Sequence, residues 1–91
     1  SYALYANFPN PFNPITQIRF DLPVMTNVDL VIYNMLGQKV KTFNIQNASA
    51  GNHLITWNAT NDAGAPVSAG VYLYQLQTKG FVKTKKMIIL K

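Results

Sequence analysis

The sequence predicts an all-β fold, an antiparallel β-sandwich of six or seven strands. Polar and apolar residues alternate over segments of about five to eight residues, and turn signals separate those segments roughly every ten residues. No segment shows a helical period.

The first fourteen residues stand apart from this pattern. Asn7-Phe8-Pro9-Asn10-Pro11-Phe12-Asn13-Pro14 interleaves three prolines with two aromatics and three asparagines. Proline denies both helix and sheet ladder, so residues 1–14 form an extended lead-in, pinned to the sandwich by Phe8 and Phe12. A strand over 15–22 follows, with Ile18, Phe20 and Leu22 facing one way and Gln17, Arg19 and Asp21 the other. Val28, Leu30 and Ile32 repeat the pattern over 27–34. Asn34-Met35-Leu36-Gly37 then reads as a type I turn closed by a left-handed glycine, leading into a strand over 38–45. The strand over 52–58 carries Ile55 and Trp57 on one face, and Asn61-Asp62-Ala63-Gly64 repeats the turn chemistry. A short strand near 66–68 and a longer one over 70–77, with Tyr72, Tyr74 and Leu76 in register, come next. Gln77-Thr78-Lys79-Gly80 is a weaker copy of the turn, before a last strand over 81–90.

All 91 residues form a single domain. A chain of this size buries roughly 60–65% of its unfolded surface, enough for a modest core but not for a large cavity. There is no cysteine, so packing alone must hold it together. Neither a signal peptide nor a run of about 18 apolar residues is present, and no membrane insertion is expected. An exported protein carrying this domain is expected to have its export signal upstream.

The net charge of +5 is unevenly placed. Lys79, Lys83, Lys85, Lys86 and Lys91 fall within the last thirteen positions, whereas the preceding 78 residues set Arg19, Lys39 and Lys41 against Asp21, Asp29 and Asp62. Residues 1–78 carry no net charge, and the basic residues gather at the end of the chain, most of them in the Lys-rich terminal strand over 81–91. Nucleic-acid binding is not expected, because the cations lack arginine clusters and interleaved exposed aromatics. On residues alone the lysine strand has two readings. It can be a docking strand that adds to a partner's sheet edge, or it can protect its own edge from aggregation. Lys85 and Lys86 are adjacent and point to opposite faces, which hints at a bulge.

Other chemistry finds little support. Trp57 and the tyrosines could form a sugar-binding platform, but Trp57 shares parity with Ile55, and a buried tryptophan is the commoner case. Tyr72 is expected to pack at a strand corner with its hydroxyl satisfied by backbone. Asn58, Asn61 and Asp62 offer oxygen atoms but only one charge, so turn formation explains them better than calcium. His53 is the only histidine, and no acid–base or nucleophilic set assembles around it, so no catalysis and no cofactor are expected.

Several stretches in order resemble the type A C-terminal sorting domains of type IX secretion substrates. They are Tyr5 to Pro14, Ile18-Arg19-Phe20-Asp21-Leu22-Pro23, Ile32 to Gln38, Trp57 with Asp62 and Gly64, Gly70-Val71-Tyr72, and Lys85-Lys86-Met87-Ile88-Ile89-Leu90-Lys91. The same sandwich is similar to the immunoglobulin-like part of flagellar hook-capping proteins. The resemblance implies an immunoglobulin-like fold that directs an upstream cargo domain through the periplasm to the cell surface or medium. It also implies an outer-membrane translocon and a sortase-like protease as partners of a monomeric domain. Gly70 and Tyr72 match the family's glycine-x-tyrosine motif, and Lys85, Lys86 and Lys91 its basic tail, with Lys83 joining them as a recognition candidate. Two alternatives remain: a carbohydrate-binding or adhesive module, and a structural cap on a neighbouring domain.

Overall fold

The structure, a computed structural model, describes residues 1–90 and contains seven strands. These are β1 (Ala3–Leu4), β2 (Thr16–Leu22), β3 (Thr26–Asn34), β4 (Lys39–Ala48), β5 (Gly51–Trp57), β6 (Gly70–Thr78) and β7 (Phe81–Ile89). They form a three-stranded sheet ordered β1-β2-β5 and a four-stranded sheet ordered β4-β3-β6-β7. Neighbouring strands are antiparallel throughout. The result is the antiparallel β-sandwich that the alternation predicts, in the immunoglobulin-like form that the resemblance implies.

The core forms where the alternation says it should. Ile18, Phe20 and Leu22 of β2, Val28, Leu30 and Ile32 of β3, Ile55 and Trp57 of β5, and Tyr72, Tyr74 and Leu76 of β6 are all buried. Trp57 lies between Phe12, at 6.0 Å, and Tyr72, at 5.8 Å, in tilted and edge-on geometries. With no cysteine in the chain, this packing replaces cross-links. Each large apolar side chain so buried contributes about 1.5–3 kcal/mol.

Both Asn-to-Gly turns form through the asparagine side chain. Asn34 Oδ1 accepts from the N–H groups of Leu36 and Gln38, and Asn61 Oδ1 accepts from those of Ala63 and Ala65. Gly37 and Gly64 close them at φ 81° and 86°, the left-handed region that a side chain disfavours. The expected short strand near 66–68 does not form. Thr60 and Pro66 make an isolated bridge instead, since Pro66 has no N–H with which to extend a ladder. The two-residue β1 is too short to show a period, and β4 runs to Ala48 through residues that alternate only weakly in burial.

The lead-in is ordered and joins the two sheets. Its backbone first follows β2: Tyr5 N–H donates to the Arg19 carbonyl, and Phe8 and Gln17 exchange both hydrogen bonds. Asn7, itself buried, donates from Nδ2 to Thr16 Oγ1 at 3.0 Å, and Thr16 donates to the Pro9 carbonyl at 2.8 Å. The segment then crosses to β7, where Phe12 bridges Ile89. Of the two aromatics expected to pin it, Phe12 is buried but the Phe8 ring is 78% exposed. Phe8 is held by its backbone pairing with Gln17, which turns the ring out to solvent.

Tyr74 ties this segment to the second sheet. Its hydroxyl accepts from the Asn7 N–H at 2.9 Å and donates to the Tyr5 carbonyl at 2.7 Å. Tyr74→Phe strands both backbone groups and is expected to cost about 1–3 kcal/mol, read as a lower urea midpoint at unchanged slope. Burial raises the Tyr74 phenol above its ordinary value of 10.0. The stability tied to the neutral phenol is therefore present below pH 10.0 and lost as the pH rises through the raised folded value. That alkaline loss is expected to shrink in Tyr74→Phe.

Candidate functional site

β7 divides into two halves with different environments. Met87 and Ile89 point into the core and are fully buried, so they anchor the strand. Phe81 shares their parity and stacks on Tyr2 at 4.9 Å. Between these ends, Lys83 is exposed and Lys85 half-buried on the same side, while Val82, Thr84 and Lys86 are exposed on the other. Lys85 tolerates a core-facing parity because the aliphatic stem of a lysine covers apolar surface while its ammonium reaches water.

The bulge expected at Lys85–Lys86 is absent. The β6–β7 register runs without a break from Gly70–Ile89 to Thr78–Phe81, placing Lys83 opposite Leu76, Lys85 opposite Tyr74 and Lys86 opposite Leu73. The two lysines are simply successive residues of a regular strand, one on each face.

Among the described residues no acidic side chain pairs with these lysines. Asp21 accepts from the Tyr5 hydroxyl, Asp29 from Asn44 Nδ2 at 2.6 Å, and Asp62 from the Thr42 N–H at 3.1 Å. Each carboxylate is engaged by an uncharged donor. The hydrogen bond to Asp21 also raises the Tyr5 phenol above its usual value.

Gly70 and Tyr72 occupy a different place. They pair with Ile89 and Met87, at the buried end of β7, away from the lysines. Gly70 opens β6 at φ 141°, a conformation nearly confined to glycine. Tyr72 is buried and donates its hydroxyl to the Ser68 carbonyl at 2.7 Å, which is the backbone-satisfied corner that the sequence suggests. These two residues shape the corner, while exposed Lys83 and Lys86 and half-buried Lys85 form the charged surface. Lys91 lies outside the described residues.

The remaining candidates are occupied in the fold. Trp57 is buried with its indole N–H donating to the Thr60 carbonyl, so it offers no platform. The side-chain carbonyls of Asn58 and Asn61 and the Asp62 carboxylate accept hydrogen bonds within their loop or from β4. His53 stacks on Phe20 at 5.2 Å and contacts the Ser49 carbonyl. A depression of about 500 Å³ between the two Asn-to-Gly loops is lined by Asn34, Gln38, Asn61 and Tyr72, all with side chains engaged in the fold. Sequence reading missed Asn10, whose side chain reaches β7, because nothing local marks a contact 78 residues away.

Comparison with known proteins places this arrangement. No curated protein sequence matches the chain. Among solved structures, dimeric latent PorU from Porphyromonas gingivalis matches 96% of the chain at 26% identity, with a TM-score of 0.76. FlgD from P. aeruginosa matches 81% of it at 25% identity and a TM-score of 0.65. PorZ, a surface component of the type IX secretion system of Porphyromonas gingivalis, shares the fold over 98% of the chain, at 18% identity and a TM-score of 0.67. The chain spans only 9% of the PorU chain, 57% of the FlgD chain and 12% of the PorZ chain. A family model, the FlgD Ig-like domain, matches residues 16–80. With β2 to β6 inside that span, the chain belongs to the FlgD Ig-like domain family.

Proposed function

We propose that this domain is a non-catalytic sorting module, which directs an exported cargo to the cell surface and is read at β7. The observation that carries the reading is the charge of Lys83, Lys85 and Lys86, unpaired among the described residues, on a strand that follows 78 residues of no net charge. The family match covers β2 to β6 but leaves out the lead-in and all of β7. The likeness to PorU extends over 96% of the chain and so takes in most of both. The ordered motifs shared with type IX sorting domains support the same conclusion, with an outer-membrane translocon and a sortase-like protease as the partners implied.

The carbohydrate-binding alternative keeps one foothold. Tyr5 and Phe8 are exposed beside Arg19, whose guanidinium lies 5.2 Å from the centre of the Tyr5 ring. Retardation of the domain in polysaccharide gels, abolished by Phe8→Ala, would favour it over the sorting role.

Deleting the end of the chain is a poor test, because it removes Met87 and Ile89 from the core along with the lysines. Substitution separates the two effects. In the full-length protein, Lys83, Lys85 and Lys86 changed together to Gln are expected to alter stability by no more than about 0.5 kcal/mol per site. Folded cargo should then accumulate in the periplasm, and normal secretion by this variant would refute the proposal. Gly70→Ala should behave in the opposite way, costing about 1–3 kcal/mol through backbone strain, since an added Cβ meets nothing within 4 Å. Its secretion should fall only as far as the folded fraction falls, measured by protease resistance.

A further inference from the structure

β7 pairs with β6 along its whole length, but its other edge is hydrogen-bonded only near its C-terminal end, while at its start Phe81 stacks on Tyr2 beside β1. Ile88 donates its N–H to Asn10 Oδ1 and accepts from the Phe12 N–H, each at 3.0 Å. Leu90 donates to the Phe12 carbonyl at 2.8 Å. In an antiparallel ladder, successive residues turn their N–H and C=O groups alternately to one neighbour and to the other. The unbroken β6–β7 register preserves that alternation. Val82, Thr84 and Lys86 therefore turn both groups the same way as Ile88, away from β6. Among the described residues no strand is hydrogen-bonded to it there.

We infer that the Val82–Lys86 edge binds an extended acidic segment of a partner protein, which joins the four-stranded sheet as a fifth strand. The inference rests on the reading of β7 as the recognised strand, and adds what recognises it. The open stretch is about 17 Å long, room for five residues of a partner. The N–H and C=O groups of Val82, Thr84 and Lys86 supply the affinity common to strand addition.

Charge selects the occupant. Lys83 and Lys85 lie on one face of the edge and Lys86 on the other, and the aspartates are engaged elsewhere. A second copy of β7 would set lysine against lysine, which is unfavourable across a strand pair. Repulsion between like edges and selection of an acidic strand are therefore the same property. Because Lys85 and Lys86 are adjacent, the matching strand carries carboxylates on two consecutive residues, one for each face. A strand with acids only at alternate positions meets the lysines of one face alone.

The test uses the 91-residue chain and a blocked synthetic hexapeptide, two adjacent glutamates flanked by threonine and valine. Binding followed by NMR should slow amide hydrogen exchange at Thr84 and Lys86 and leave β2 unaffected. Replacing both glutamates by glutamine, or separating them by one residue, should weaken binding roughly threefold to tenfold. Thr84→Pro removes an edge N–H that faces away from β6 and should weaken binding by a similar factor. Should that variant unfold, Lys85→Gln with Lys86→Gln supplies the same comparison from the charge side. No binding, equal binding of the glutamine peptide, or binding without slowed exchange at Thr84 and Lys86 would each overturn the inference. Secretion distinguishes it from the reading beneath it. Lysine variants that lose peptide binding yet secrete normally refute the sorting role. Variants that lose secretion while binding the peptide unchanged refute only strand addition.

Discussion

The Tyr74 hydroxyl stands at the centre of this small sandwich, accepting from Asn7 and donating to the Tyr5 carbonyl. It connects β6 of the larger sheet to a segment that otherwise runs along β2 of the smaller one. Once that segment is fixed, Phe12 can enter the core beside Trp57, and Asn10 and Phe12 can reach β7. A segment with three prolines could not have joined a ladder as an ordinary strand, because it lacks the N–H groups for one. Side-chain and isolated backbone hydrogen bonds do that work instead. The same constraint that denies the lead-in regular structure lets it span two sheets.

The division of β7 follows from this arrangement. Where the lead-in covers the strand, the residues are apolar and buried: Met87 and Ile89. Where the cover ends, lysine replaces them at the same parity, with Lys83 and Lys85 in line with the buried pair. One regular strand thus serves as core at its end and as surface in its middle, before Phe81 packs again on Tyr2. Among the described residues its charge has no acidic partner, because the three aspartates, in β2, β3 and the loop before β6, hydrogen-bond to the lead-in and to β4.

Much of the fold was legible in the sequence, for reasons that differ by residue. Ile18, Phe20 and Leu22, or Tyr72, Tyr74 and Leu76, face inward because a two-residue period leaves one face to bury. Asn34 and Asn61 announce their turns because an asparagine side chain can itself cap the backbone. The corner built by Tyr72 was equally readable. The exposed lysines could be located from charge placement, but their surroundings could not. Adjacent lysines suggest a bulge only if both faces are presumed covered, and the cover stops short of Lys85. Phe8 misled for a related reason. An aromatic among prolines looks like an anchor, yet the reciprocal pairing of its backbone with Gln17 decided which way the ring points. The contact of Asn10 with Ile88 was invisible, since no local pattern encodes a partner so far along the chain.

That separation has a kinetic side. The bonds from Tyr74 to Asn7 and Tyr5 link residues 67 and 69 positions apart, and the bond from Ile88 to Asn10 spans 78. Contacts of such high order form late, after the loop entropy between them has been overcome. During synthesis, β2 and β5 can pair while β7 is still within the ribosome, but the lead-in can close onto β7 only after Ile88 has emerged. A nascent chain that stops before Phe81 lacks Met87 and Ile89 from its core and the basic edge with them. Closure of the sandwich and display of its lysines are in this way one event, so the edge appears only on chains whose translation has passed it.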